Sequence, residues 1–76
     1  MKLVLVEWRD SAVQYGWQHA DHFDGEIEKC QSVGFLLKET PDSVVLLLSR
    51  SNTGNWAEGI TIPKLAITRM RKLTVN

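Results

Sequence analysis

Five consecutive apolar residues at positions 44–48 (VVLLL) form the most apolar run of the chain, and a serine stands at each end of it. Five residues are too few for a helix, and their continuous apolar character favours a strand that is buried on both faces. Thr40-Pro41-Asp42-Ser43 precedes the run. This sequence predicts a tight turn, because proline fixes the first central dihedral angle and aspartate suits the second.

Apolar residues at alternate positions over 25–39 indicate a long strand before that turn. The alternation breaks near residues 30–34, where we expect a bulge or a bend. Three shorter strands are predicted from apolar, β-branched and aromatic content, at residues 2–8, 59–62 and 66–73. The segments between the strands are a long connection over 9–24, a polar loop over 50–58 and a 3₁₀ turn over 63–65.

This order of elements is the one seen in SH3-like and Sm-like small barrels, and the closing segment ITIPKLAITRMRKL resembles the end of such barrels. We therefore expect residues 1–76 to form a single all-β domain. The expected architecture is a small five-stranded SH3-like or Sm-like barrel, with a long loop after strand 1 and a 3₁₀ turn before strand 5. The alternative is an open antiparallel sheet that dimerises through its edges.

Alternation along the strands also predicts which side chains point inward. The expected core consists of Leu3, Leu5, Val33, Phe35, Leu37, Val44, Leu46, Leu48, Ile60, Ile62 and Ile67. Val45 and Leu47 then lie on the opposite face of their strand, which a monomeric barrel would expose to water. Either the 9–24 connection covers them or a second subunit does, so these two residues are the predicted oligomer interface.

Charge and cysteine content exclude several classes of function. Nine basic residues balance nine acidic ones, which counts against a general polyanion binder and leaves little repulsion between subunits. The single cysteine, Cys30, excludes an internal disulfide and a cysteine-rich zinc module. No apolar run approaches the ~20 residues that a membrane-spanning helix needs. We therefore expect a cytoplasmic protein without membrane contact.

Two histidines and two aspartates lie within six residues, namely His19, Asp21, His22 and Asp24, and Cys30 follows them. Their spacing matches no structural zinc pattern, so we interpret the segment as a solvated polar loop and expect no metal or cofactor. Cys30 with either histidine is the nominal nucleophile and base, but a cysteine within a strand is usually a small hydrophobic residue. We expect no catalytic residue and a non-enzymatic function.

The tryptophans and the polar residues around them indicate a ligand site. The candidate residues are Trp8, Asp10, Ser11, Trp17, Ser49, Arg50, Ser51, Asn52, Asn55 and Trp56. They supply stacking faces, hydrogen-bonding groups and a guanidinium, which a small planar polar ligand such as a nucleotide requires. The loops after the first and third strands meet at one end of such a fold, which predicts a site between residues 8–17 and 49–56. The competing interpretation of each tryptophan is a core or loop-anchoring role.

A cluster of cations near the end of the chain favours a second function. Arg69, Arg71 and Lys72 lie in the predicted last strand, and three aromatic residues in loops could stack on bases. In an oligomeric ring, such a local basic rim binds RNA even when the net charge is zero. The alternative hypothesis is therefore an Sm-like RNA-binding module. A solvated charged strand face is the competing interpretation.

Four segments together resemble small proteins encoded by tailed phages and prophages: WRDS (8–11), GW (16–17), SVGFLLKET (32–40) and ITIPKLAI (60–67). Several small phage proteins that counter host defence are oligomeric barrels that sequester nucleotide-derived immune signals. The resemblance implies a homo-oligomer that sequesters a cyclic dinucleotide or an ADP-ribose derivative in the cytoplasm of an infected bacterium. A protein–protein adaptor that inhibits a host factor through Val45 and Leu47 is a third hypothesis.

Overall fold

The computed structural model describes residues 1–11, 17, 19–22 and 25–75. Its five strands are β1 (Leu3–Asp10), β2 (Glu28–Glu39), β3 (Ser43–Arg50), β4 (Trp56–Pro63) and β5 (Ile67–Lys72). Within the described ranges there are two 3₁₀ turns, η1 (Ala20–His22) and η2 (Lys64–Ala66). No helix among these residues is long and apolar enough to cross a membrane. The expected all-β class, with five strands and a 3₁₀ turn before the last, is confirmed.

The strands form one antiparallel sheet in the order β4-β3-β2-β1-β5. Strands from opposite ends of the chain are neighbours, because β5 pairs with β1 and the backbone N–H of Leu73 donates to the carbonyl of Leu3 at 2.8 Å. β4 and β5 are the two edges of the sheet, and no pairing joins them in the described chain. The sheet is therefore open, and the predicted closed barrel is not confirmed.

The turn between β2 and β3 is organised by the side chain of Thr40. Its Oγ1 accepts hydrogen bonds from the backbone N–H groups of Asp42 at 3.2 Å and Ser43 at 3.0 Å. The backbone N–H of Thr40 also donates to the carbonyl of Ser43 at 2.9 Å. Lys64 of η2 ties the end of β4 to this turn, because its N–H donates to the carbonyl of Asp42. The tight turn predicted over 40–43 is confirmed.

The core lies on one face of the sheet, which we call the inner face. Its buried members are Val4, Val6, Val44, Leu46 and Ile62, and Trp8, Leu36 and Ile67 pack against them. β1 therefore buries its valines rather than the predicted Leu3 and Leu5. The reason is that positions 3–6 are all apolar, so the sequence contains no alternation that could decide which side points inward.

Several other predicted core residues are exposed. Leu48 is 62% exposed, Val33 53%, Leu37 41% and Ile60 39%. Leu48 lies beyond the last pair between β2 and β3, which joins Phe35 to Leu47, and the described residues do not cover it. Val33 pairs with Leu5 on the opposite side of the sheet from the core, which we call the outer face.

Gly34 brings β3 close to β2. A Cβ atom at this position would lie 2.8 Å from the carbonyl oxygen of Leu47 and 3.1 Å from Cβ of Leu46. The register between these strands shifts nearby, between Leu36 and Lys38. The irregularity in β2 therefore lies a few residues after the predicted interval of 30–34, and Gly34 permits the close approach.

Candidate functional site

Arg50 is the last residue of β3, and its guanidinium stacks on a ring of the neighbouring strand. Its Cζ atom lies 4.7 Å from the ring centroid of Phe35. A stacked guanidinium uses its face for the ring and keeps its in-plane N–H groups for an anion. No carboxylate among the described residues forms an ion pair with Arg50. The geometry therefore presents an oriented cation with unused donors.

Trp56 is the residue opposite Arg50 across the β3–β4 pairing. Its indole lies over Gly59, since a Cβ atom on that glycine would be 3.4 Å from Cζ3 of Trp56 and from Cδ2 of Leu47. Trp56 nevertheless remains 55% exposed. The ring is thus placed against the sheet on one side and offers a stacking surface to solvent.

The turn that links β3 to β4 is held by its own hydrogen bonds. The backbone N–H of Ser51 donates to the carbonyl of Asn55 at 2.8 Å, and the N–H of Asn55 donates to Oγ of Ser51 at 3.2 Å. The hydroxyls of Ser51 and Thr53 are 2.9 Å apart. Gly54 has φ +90°, which favours glycine at this position. The Ser51 hydroxyl therefore organises the turn, although the sequence predicts that it binds a ligand.

These elements enclose a shallow concavity of about 230 Å³. It is lined by Ser49, Arg50, Ser51, Asn55, Trp56 and Ala57. All of these except Ala57 are predicted ligand residues. The size suits a single planar ring, with Trp56 as the stacking surface and Arg50 as the group that contacts an anion. We call this concavity the hairpin site.

The first tryptophan lies in a different place. Trp8 is half-buried near the end of β1, where its indole N–H donates to Oγ of Ser32 at 3.0 Å. It lines a larger concavity of about 420 Å³ with Glu7, Arg9, Lys29, Cys30, Gln31 and Thr68. None of these residues lines the hairpin site. The structure therefore does not bring Trp8 together with Arg50 and Trp56, and Trp8 has a structural hydrogen bond.

The other predicted ligand residues lie apart from the hairpin site. Asp10 and Ser11 are exposed, and Oδ1 of Asp10 accepts the backbone N–H of Ser11 at 2.8 Å. Trp17 is fully exposed, and Asn52 is exposed in the turn after β3 without lining the concavity. Residues 12–16, part of the predicted 8–17 side of the site, lie outside the described residues.

Phe35 is a contributor that the sequence does not reveal. Its place in the alternation of β2 assigns it to the core, whereas the register places it opposite Leu47 on the outer face. Contact with Arg50 depends on the register between β2 and β3, and no local pattern in the sequence encodes that register. In the sequence, the only indication of this contact is Arg50 itself, a cation two residues after an apolar strand.

The three predicted RNA-binding cations are divided between the faces of β5. Arg69 and Arg71 pair with Glu7 and Leu5, which places them on the outer face, whereas Lys72 pairs with the core residue Val4. Arg71 also lies 3.5 Å from a carboxylate oxygen of Glu7. Only the two arginines therefore share a surface.

The two residues of the predicted oligomer interface differ in burial. Leu47 is 1% exposed, so residues of its own chain cover it. Val45 is half-buried. Leu47 is not a surface residue. On the outer face it lies beside Trp56 and beside Phe35, the residue that pairs with it across β2 and β3.

The histidine-rich segment is described only in part. Nδ1 of His19 lies 3.5 Å from Oδ2 of Asp21, and both side chains are largely exposed. Asp24 and the side chain of His22 are outside the described residues. Cys30 is a free cysteine whose Sγ lies 3.9 Å from the carbonyl of Glu28. Among the side chains that the structure describes, no group of three or more His, Cys, Asp or Glu residues could hold a metal ion.

Comparisons of the chain with known protein families, with curated proteins and with solved structures found no match. The candidate function therefore depends on the geometry of the described residues.

Proposed function

We propose that this protein binds a small planar anionic molecule of the nucleotide type at the hairpin site, without converting it. The observation that carries the proposal is the stacking of Arg50 on Phe35 beside the half-exposed Trp56. An arginine already oriented by a ring loses less conformational freedom when it binds phosphate than a free side chain does. The adjacent indole supplies the surface on which a base would stack.

The size of the site limits what is bound there. A volume of about 230 Å³ is smaller than the roughly 300–1,000 Å³ of most sites for drug-sized ligands. It accommodates a base or a comparable ring with an adjoining anionic group. The remainder of a larger ligand would extend into solvent over the polar turn, where Asn55 offers hydrogen-bonding groups.

Sequestration of a nucleotide-derived signal is the biological role that we propose for this binding. It is supported by the half-exposed ring of Trp56 beside the guanidinium of Arg50, which lies over Phe35. A protein that only sequesters a signal needs affinity for it and no catalytic group. Cyclic dinucleotides and ADP-ribose derivatives contain the base and phosphate groups that Trp56 and Arg50 would contact.

The proposal is tested by calorimetric titration of the protein with AMP, a cyclic dinucleotide and ADP-ribose. We expect at least one of these to bind, and Arg50→Ala to weaken that binding roughly 10- to 100-fold, since hydrogen bonds to charged groups contribute about 1.5–3 kcal/mol. Arg50→Lys should recover only part of the affinity, because lysine keeps the charge but neither stacks as a plane nor binds bidentately. Trp56→Ala should also weaken binding.

Arg69→Ala is the matched control, because it removes an exposed arginine outside the hairpin site. The three arginine variants should keep the melting temperature within a few degrees of the parent, since their side chains are exposed. Trp56→Ala should lower it further, because the indole covers part of Leu47. The proposal is refuted if the protein binds none of the three ligands. Equal affinity of Arg50→Ala and the parent would refute it as well.

A single-stranded nucleic acid is the second candidate ligand, and the composition of the outer face favours it. The register places Arg69 and Arg71 of β5 on the same face as Val33 and Phe35 of β2. Cations and an aromatic ring on one face of a sheet are the composition by which sheets bind single strands, through phosphate contacts and base stacking.

Fluorescence anisotropy with a labelled single-stranded RNA tests this second candidate. Arg69→Gln should lower the affinity and reduce the slope of log K against log salt by about one, the effect of losing one phosphate contact. Lys72→Gln is the control, because Lys72 lies on the opposite face. Equal effects of the two substitutions, or affinity that does not change with salt, would exclude the outer face as an RNA-binding surface.

A further inference from the structure

β4 is an edge strand whose outer side has no pairing partner in the described part of the chain. Alternate residues of an edge strand point their N–H and C=O groups away from the sheet, where another extended strand can pair with them. Proteins commonly protect such edges with charged side chains. The opposite edge, β5, contains Arg69, Arg71 and Lys72, whereas β4 contains one charged residue, Glu58. β4 is therefore the less protected edge.

The inner face of β4 continues the core towards this edge. Ile62 pairs with Val44 and is fully buried, and Ile60 pairs with Leu46 and is 39% exposed. Ile60 and Ile62 lie on the same side of the strand, because they are two residues apart. A strand placed beside β4 would extend this apolar row and cover the exposed part of Ile60.

We propose that β4 pairs antiparallel with β4 of a second copy of the chain, about a two-fold axis between their Thr61 residues. Pairing is limited on one side by Glu58, whose positive φ of 59° bends the strand, and on the other by Pro63, which lacks an N–H group. Pro63 keeps its carbonyl as an acceptor and so ends the paired segment as its last member; the segment is 59–63, and its centre is Thr61. The two sheets would join into a single sheet across this contact.

The side chains of this register are complementary. Thr61 faces Thr61 of the second copy, a pair that is favourable between antiparallel strands. Ile60 faces the second copy's Ile62, so both inner rows become continuous. Glu58 and Lys64 lie just beyond the two ends of the pairing and carry opposite charges, so they add no repulsion there; Lys64 itself forms an ion pair with Glu39 at 2.8 Å. The same pairing between two β5 strands would instead bring arginines against arginines, which is unfavourable.

This contact is independent of the hairpin site. Trp56 lies at the other end of β4 from Pro63, five residues from the proposed axis. The two hairpin sites of a dimer would therefore lie far from the contact, at opposite ends of the joined strands. Loss of ligand binding and loss of dimerisation are consequently separate outcomes.

Cysteine cross-linking on the full chain tests the pairing. In a Cys30→Ser background, Thr61→Cys should form a disulfide-linked dimer on mild oxidation, because facing residues at a two-fold axis have Cα atoms within the ~4.4–6.8 Å that a disulfide spans. Arg69→Cys, on the other edge, is the matched control and should not form the disulfide-linked dimer. Light scattering over a dilution series should show a dimer that dissociates on dilution, since the contact is small.

Ile60→Lys supplies a second test, because a lysine placed on an edge strand opposes pairing. Its circular dichroism should match that of the parent while the dimer is lost. A monomer at every concentration would overturn the proposal. The proposal would also fail if Thr61→Cys formed the disulfide no faster than Arg69→Cys. Cross-linking only in a mixture of the two variants would likewise overturn it, because that result indicates pairing of β4 with β5.

Discussion

Gly34 has closer surroundings than Gly59, the other glycine within a described strand, so one added carbon atom would disturb the sheet more there. Its missing side chain lets the carbonyl of Leu47 approach β2, three residues before Arg50. The atom that a Cβ would meet is part of the backbone, so it cannot move aside as a flexible side chain could. Phe35, the next residue of β2, carries the guanidinium of Arg50 at 4.7 Å from its ring centroid.

Gly34→Ala should therefore lower the free energy of unfolding by about 2–3 kcal/mol, the usual cost of overpacking. For a chain of this size, the loss corresponds to a fall in Tm of on the order of 10 °C. Gly59→Ala is the control, because its nearest contacts would lie at 3.4 Å and should cost less than about 1 kcal/mol. Thermal unfolding followed by circular dichroism measures both. A Gly34→Ala protein as stable as the parent would show that the two strands can separate slightly without cost.

At the scale of elements, the sequence predicts one of the two hairpin turns well and the other poorly. The β2–β3 turn contains proline and aspartate, which have strong turn preferences, and the sequence predicts it correctly. The β3–β4 hairpin is longer than predicted, because Arg50 and Trp56 pair within strands rather than lying in a loop. Polar residues at the ends of strands have no β signal of their own. Their pairing is secured by hydrogen bonds within the turn, which only the structure shows.

Thr40→Val tests how much the first turn depends on a single hydroxyl. Valine keeps the shape of threonine but leaves the N–H groups of Asp42 and Ser43 without their acceptor. We expect a loss of about 1–2 kcal/mol in urea unfolding. Thr53→Val removes a hydroxyl that bonds only to Ser51 in an exposed turn and should change stability by less than about 0.5 kcal/mol. Equal effects of the two substitutions would contradict the role assigned to Thr40.

For the whole molecule, the sequence predicts the number of strands and their succession along the chain better than it predicts the shape of the sheet. The number of strands and their succession along the chain follow from short apolar segments that are separated by turn residues. Closure does not follow, because it depends on whether β4 and β5 reach each other, and no local pattern encodes that distance. The candidate site divides in the same way. Its hairpin half can be predicted from Arg50 and Trp56, whereas the expected meeting with Trp8 requires a curvature that the sequence does not specify.

The pairing of β1 with β5 also affects how the chain folds during synthesis. β1 is made first, yet its second neighbour is residues 67–72, which leave the ribosome more than fifty residues later. Contacts between distant parts of a chain form slowly, because a large loop must close before they give any stability. Until then, one side of β1 remains uncovered. β5 follows the other four strands of the sheet along the chain, so a nascent chain that stalls before β5 would expose the backbone edge of β1 to its neighbours.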